Sequence, residues 1–280
     1  MIMNESDKNF IAEAAQFFLD PGPVAKSLNW IGKPIEALTH RLPEKAQKII
    51  SLAAKKAIEK ALVAAVRSLP DSSASSHKPS QPIDEKASHL SGWIHKASTT
   101  LTGGVSGFVG LPALPIELPV TTVLILRGIL DQARLFGHDI QDMEIRMECL
   151  MIFSLGTNTP SEDSMESAYF LARTAHAQAV RQAAQYLSKL SSQELAEALQ
   201  RGSAPALVRL VAQIARAFEI RVSQKAIAGV VPFMGALTGG ALNFAFTDFY
   251  SKAARYHFGV RSLEKKYGTE MVHDLMKQAQ

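Results

Sequence analysis

Residues 226–247 run for 22 positions without a charged side chain. A stretch that apolar has to be buried, in a protein core or in a bilayer, and as helix it is long enough to cross about 30 Å of hydrocarbon. It also carries Pro232 with Gly229, Gly235, Gly239 and Gly240. Those residues interrupt a straight span and let helix backbones approach closely. A second segment of the same kind, residues 105–126, has Glu117 as its only charge and places Pro112, Pro115 and Pro119 within eight positions. The three prolines are expected to break any helix through its middle. Two such segments fit a re-entrant hairpin, or two elements packed on one another inside a helical core, better than two clean spans.

The rest of the chain repeats its apolar residues at helical spacing. Phe10, Ile11, Ala14, Phe17 and Phe18 mark a helix that the Pro and Gly residues at 21–23 stop. Pro43 suits a first helical turn, and a helix to residue 69 puts Ile50, Ala54, Ala57, Ile58, Ala61 and Ala65 on one face. Lys45, Lys48, Lys55, Lys56 and Lys60 fall mostly opposite, as a solvated face or one meeting anionic lipid. After Pro119 a helix runs to Phe136 with Gly137 as its stop, and Asp139 or Asp142 caps the Met-rich helix that follows. A long helix opens near residue 161, with Tyr169, Ala172, Ala175, Ala179, Ala183 and Tyr186 on its stripe. From Pro205, the stripe is Leu207, Val211, Ile214, Phe218 and Val222. Phe246, Phe249, Tyr250, Ala253 and Tyr256 continue a face to about His257, and a last helix starts at Ser262 with an interruption at Gly268. No period-2 alternation is present, so the expected fold is an all-α multi-helix bundle with the two Gly/Pro-rich apolar segments at its centre.

Residues 70–84 are rich in Ser and Pro and hold almost no apolar side chains, which reads as a flexible loop or linker. They divide a helical region, 1–69, packed on the main domain, from a helical core, 85–280. A net charge of +4 is too mild for a dedicated nucleic-acid binder. A mean hydropathy of +0.03 is high for a soluble chain and low for one that crosses a membrane many times. The single cysteine, Cys149, excludes an internal disulfide and reads as a small buried hydrophobe in a reducing cytosol. Residues 1–7 show no basic region leading into an apolar core, so no signal peptide is expected.

Chemistry is hard to find in these residues. The glycines of residues 103–110 lack the Gly-Lys-Ser/Thr ending of a phosphate loop, and Phe108 replaces a glycine that a nucleophile elbow around Ser106 requires. No two of the eight histidines lie three or four apart, so no local metal pair forms. No catalytic residue, metal or cofactor is expected. His176 lies along the stripe of its helix and reads as a core or boundary histidine. The residues that stand out are polar ones in apolar surroundings. Glu117, buried alone, would be costly and must be paired, with Arg127, Asp248 and Arg255 as candidates for its neighbourhood. Asn243 needs hydrogen-bond partners if it is buried. The five residues are either structural or the polar floor of a ligand pocket.

Three blocks carry a likeness to a known family: GLPALPIELPVTTVLILRGILDQARLFGHDI at 110–140, MECLMIFSLG at 147–156, and VVPFMGALTGGALNFAFTDFYSKAARYHFGVRSLEKKYG at 230–268. Together they resemble the EcsC family over about residues 40–270, and the third block is the most specific. The Ser/Pro stretch departs from the family pattern. The resemblance implies an all-helical bacterial protein, encoded in some genomes beside an ABC exporter, with no established activity. Arg209, Arg216, Arg221 and Lys225 precede the uncharged run, and Lys252, Arg255, Arg261, Lys265 and Lys266 follow it. Basic flanks suit a segment lying against an anionic surface. The leading expectation is therefore a non-enzymatic accessory protein, cytoplasmic and peripheral to or shallowly inserted in the inner face of the membrane. Its partner would be anionic lipid or a membrane protein complex. The competing expectation is a soluble helical protein with an apolar small molecule in a central pocket and an unidentified hydrolytic activity.

Overall fold

The computed structural model describes residues 3–19, 42–66, 113–155, 165–190, 192–201, 203–230 and 239–279. Helix α1 spans Glu5–Leu19, α2 Glu44–Val66, α3 Leu114–Leu135 and α4 Met143–Met151, which tightens into a 3₁₀ turn at Ile152–Ser154. Then come α5, Met165–Leu187; α6, Ser192–Arg201; α7, Pro205–Val230; α8, Gly239–Tyr267; and α9, Thr269–Gln278. Among the described residues there is no strand, and the fold is all-α. The Ser/Pro-rich residues 70–84 and the boundary drawn beside them lie outside the described residues.

Helix α2 shows why these sequences form a bundle. Ile50, Ala53, Ala54, Ala57, Ile58, Ala61 and Leu62 are fully buried, while Lys45, Lys48, Lys55, Lys56 and Lys60 face solvent. The stripe is mostly alanine, so the helices that cover it, α3 and α7, come in closely. On α7 the expected stripe of Leu207, Val211, Ile214, Phe218 and Val222 is buried throughout. The last carbonyls of α2, those of Ala65 and Val66, accept hydrogen bonds from Nη1 of Arg146 at 3.1 and 3.3 Å. Arg146 is 8% exposed, and carbonyls at a helix C-terminus are where a cation is favoured.

Helices α3 and α8 pack side by side. Asn243 Nδ2 donates to Glu117 Oε1 at 3.0 Å near their N-terminal ends, and Ser262 Oγ donates to the Phe136 carbonyl at the other end. Both bonds join residues 126 apart in sequence. Two contacts with the same offset mean that the helices run parallel and in register. At the C-terminal end of α3, Gly137 adopts φ 76°. Its N–H bonds the Arg134 carbonyl and the N–H of His138 bonds that of Ala133, the paired pattern of a Schellman cap. Helix α1 runs antiparallel along α8: Asp7 meets Lys266, Phe10 packs on Tyr256, and Phe17 stacks on Phe249.

Three expectations need correcting. Helix α3 does not wait for Pro119; it starts at Leu114 with Pro115 in its first turn and passes through Pro119. A proline there removes one N–H donor in the second turn, where the ladder has barely begun, so the cost is small enough for burial to offset. Helix α8 does not end near His257 but continues to Tyr267 and stops at Gly268, which has φ 94°. The glycine inside it, Gly259, is where α1 crosses: a Cβ at that position would overlap the Phe10 ring. On α5 the buried face is Tyr169, Val180, Ala183, Ala184 and Leu187, and Ala175 is exposed.

Candidate functional site

The bond between Asn243 and Glu117 joins the two residues that stood out in the apolar segments. Asn243 is buried and Glu117 half-buried, so the carboxylate is held by an amide from the neighbouring helix rather than left alone in the core. Arg127 is exposed and lies ten residues further along α3, about 15 Å away by helical rise, so it does not join this pair. Asp248 is half-buried and pairs with Lys252 one turn on, at 3.0 Å. Arg255, twelve residues beyond Asn243 on α8, sits over the rings of Phe10 and Tyr256 at 5.4 and 5.3 Å. The proposed neighbourhood therefore splits: Glu117 and Asn243 come together, while Arg127 and Arg255 stand elsewhere on their helices.

Because Leu114 and Gly239 open α3 and α8, and a side-chain bond ties the first turns of both, the two helices start at one end of the molecule. Ile116, Val120 and Phe244 lie on those same turns with 78%, 53% and 39% of their surface exposed. The sequence entering α3 there, residues 103–112, and that entering α8, residues 231–238, are both uncharged.

The basic residues are less uniform than their spacing implied. Arg209 and Arg216 are exposed on α7, near the exposed Val208 and Ile220. Arg221 is buried with its guanidinium 4.1 Å from the centre of the Phe249 ring, so it is a core contact. The side chain of Lys225 lies outside the described residues. Lys252 is neutralised by Asp248, Lys266 by Asp7 at 2.8 Å, and Arg261 by Glu148. Lys265 is exposed, with its Nζ 3.4 Å from His138 Nδ1.

A second polar cluster joins α4, α5 and α8 in the core. His257 is fully buried, with Nε2 2.9 Å from Glu148 Oε1 and Nδ1 2.9 Å from the Tyr169 hydroxyl. Glu148 also pairs with Arg261, Nε lying 3.0 Å from Oε1 and Nη2 donating to Oε2 at 3.3 Å. Burial alone would push the Glu148 carboxyl up, but the hydrogen bond from His257 and the charge of Arg261 outweigh it and hold the group at about 2. A carboxylate only accepts, so Nε2 of His257 carries the hydrogen and Nδ1 accepts from Tyr169. Burial keeps His257 below the usual imidazole range and hence neutral, and it pushes the Tyr169 phenol up. Nearby, Arg173 forms a bidentate pair with Glu264 at 2.8 and 2.7 Å.

Both nitrogens of His257 are thus engaged inside the cluster, and the Tyr169 ring is stacked on Phe18 at 4.0 Å. No nucleophile of this cluster is presented to solvent, and its immediate effect is to lock three helices together. Its Glu148 and Arg261 end borders a cleft of about 270 Å³ between α4, α5 and α8. The thiol of Cys149, next to Glu148, is buried and pushed well up, so it behaves as a core side chain.

Sequence reasoning missed this cluster for a physical reason. Its partners stand 88 to 113 residues apart, and no local spacing encodes such pairs. One signal was present: Arg146 and Glu148 sit among the buried Ile145, Met147, Cys149 and Leu150, as conspicuous as Glu117 in its own segment. No curated protein and no solved structure matches the chain. Residues 24–263 match the EcsC protein family, a span that includes the Glu117–Asn243 clamp and the Tyr169–His257–Glu148 cluster. The chain belongs to the EcsC protein family.

Proposed function

We propose that this protein is a non-enzymatic accessory protein that attaches to the cytoplasmic face of a membrane by the end at which α3 and α8 begin. The observation that carries the reading is the Asn243–Glu117 bond, which holds together the starts of two helices that are each entered from an uncharged stretch. Ile116, Val120 and Phe244 stand exposed beside it, and burying side chains of this size in an apolar medium contributes on the order of 1–3 kcal/mol each. Among the described residues no helix is long and apolar enough to cross a membrane. Charge contributes little. Lys252 is already paired, and Lys265 lies 26 residues along α8 from Gly239, about 39 Å from the apolar end and several Debye lengths away. The exposed Arg209 and Arg216 add positive charge, in a supporting role. A neighbouring ABC exporter, which the family likeness implies, is the membrane protein such an accessory would serve.

Flotation with neutral and anionic vesicles tests the reading. Binding should survive high salt and occur with both vesicle types, because apolar burial is not screened. Ile116→Glu with Phe244→Glu should abolish it, and Ile116→Glu alone, at a position 78% exposed, should weaken it with the fold intact. Loss of binding on adding salt would move the attachment to the arginines. No binding to either vesicle would overturn membrane attachment altogether.

A further inference from the structure

The cleft between α4, α5 and α8 is lined by Arg173, Arg181 and Arg261, by Glu144 and Glu148, and by His176. Two of the arginines are fixed from behind. Arg173 gives its two terminal nitrogens to Glu264, and Arg261 turns its Nε and Nη2 edge to Glu148. Both carboxylates are buried, at 8% and 7% exposure, so neither arginine is free to swing. A guanidinium has five N–H donors, and these pairs use only part of them. The third cation, Arg181, is exposed, and its one polar contact among the described residues is with its own helix, Nε to the Ala177 carbonyl at 3.4 Å. Glu148 and Glu264 are each compensated by the arginine they hold, which leaves Glu144, exposed on the first turn of α4, as the opposing charge.

His176 adds an acceptor. Its Nδ1 lies 2.6 Å from the Ala172 carbonyl, so Nδ1 carries the hydrogen, and in the neutral ring Nε2 then holds a lone pair. That Nε2 is buried and has no hydrogen-bond partner. A buried acceptor beside fixed guanidinium donors fits a ligand that is an anion and also donates one hydrogen bond. Carboxylates and sulfate carry no donor at neutral pH. A phosphate group that retains a proton does, since its second ionisation falls near neutrality.

We propose that this cleft is a binding site for a protonated phosphate group, with Arg181 and Arg261 taking its oxygens, Arg173 adding a further donor, and His176 Nε2 accepting from P–O–H. The site lies away from the apolar end, and it does not rest on the membrane reading. The same chemistry comes from free phosphate or from the headgroup of a phosphatidic acid.

Titration calorimetry of the full chain with inorganic phosphate and with sulfate, at equal ionic strength near neutral pH, tests the site. Phosphate should bind at least about tenfold more tightly than sulfate. Arg181→Ala, an exposed position that leaves the fold unchanged, should weaken phosphate by about tenfold through loss of one charge-assisted contact. His176→Phe should bring phosphate down to the sulfate level, and His176→Gln, which keeps an acceptor, should restore part of the difference. The source is read from flotation with vesicles containing phosphatidic acid or phosphatidylglycerol. A preference for phosphatidic acid that Arg181→Ala removes assigns the lipid headgroup, and phosphate binding without that preference assigns the free anion. Equal binding of phosphate and sulfate, or no response to phosphate and to phosphatidic acid, would overturn the proposal. So would phosphate binding that Arg181→Ala leaves unchanged.

Discussion

Glu148, His257 and Tyr169 are polar groups removed from water, and each is tolerated because the next one satisfies it. Breaking one link strands a buried charge, and this is costlier than any surface change. We expect His257→Phe to lower stability by about 2–4 kcal/mol, measured by urea denaturation, whereas Lys252→Ala on the surface should stay within about 0.5 kcal/mol. A small effect of His257→Phe would mean that Arg261 alone satisfies Glu148. The pH dependence follows from the same burial. His138 is held at about 4 instead of 6.5, because burial opposes its charged form more than the bond to the Phe258 carbonyl favours it. Between those pH values the unfolded chain takes up a proton that the folded chain refuses, so stability falls as pH drops from 6.5 to 4. A shift of that size is worth about 3 kcal/mol. His257 is lowered as well and acts in the same direction. Glu148 acts lower down: its folded value of about 2 lies below the ordinary 4.5, so its stabilisation is complete above 4.5 and lost as pH falls towards 2. A urea midpoint that does not move between pH 6.5 and 4 would contradict this account, and His138→Gln should lessen the fall in that window, leaving the part that His257 contributes.

Helices are what the sequence specified best. The stripes of α2 and α7 were legible because each buries one face against neighbours on one side, and a period of 3.6 is then visible in the residues. The Schellman stop at Gly137 and the Asp142 cap of α4, which accepts from the Glu144 N–H at 2.8 Å, were legible because caps are local chemistry. What could not be read was context. Pro119 looks like a terminator in isolation, yet the helix around it has only just begun. Gly259 looks like a break between two helices, and instead it admits the Phe10 ring where α1 crosses α8. Gly259→Leu should therefore push α1 off, lowering stability by about 1–3 kcal/mol and exposing α1, Glu5–Leu19, to limited proteolysis. If that variant melts like the wild type and resists the protease equally, α1 is not held at this crossing.

At the scale of the molecule, the parallel pairing of α3 and α8 decides what the apolar segments can do. Packing of the two segments was legible from their glycines and lack of charge, whereas the Glu117–Asn243 bond was not, since Arg127, Asp248 and Arg255 were the neighbours expected for the carboxylate. The direction of the helices was not legible, since it depends on two contacts of equal offset at opposite ends. Parallel starts place Ile116 and Phe244 together and Lys265 at the far end, so attachment to lipid has a definite polarity. An environment-sensitive fluorophore reports this directly. Cys149 is buried and does not compete for labelling, so single cysteines at Ile116, Phe244 and Lys265 can be labelled in turn. On adding vesicles, the probes at 116 and 244 should shift to the blue and become accessible to quenchers in the acyl chains, while the probe at 265 should stay in water. A shift at 265 with none at 116 and 244, or no shift at any of the three, would contradict attachment through this end.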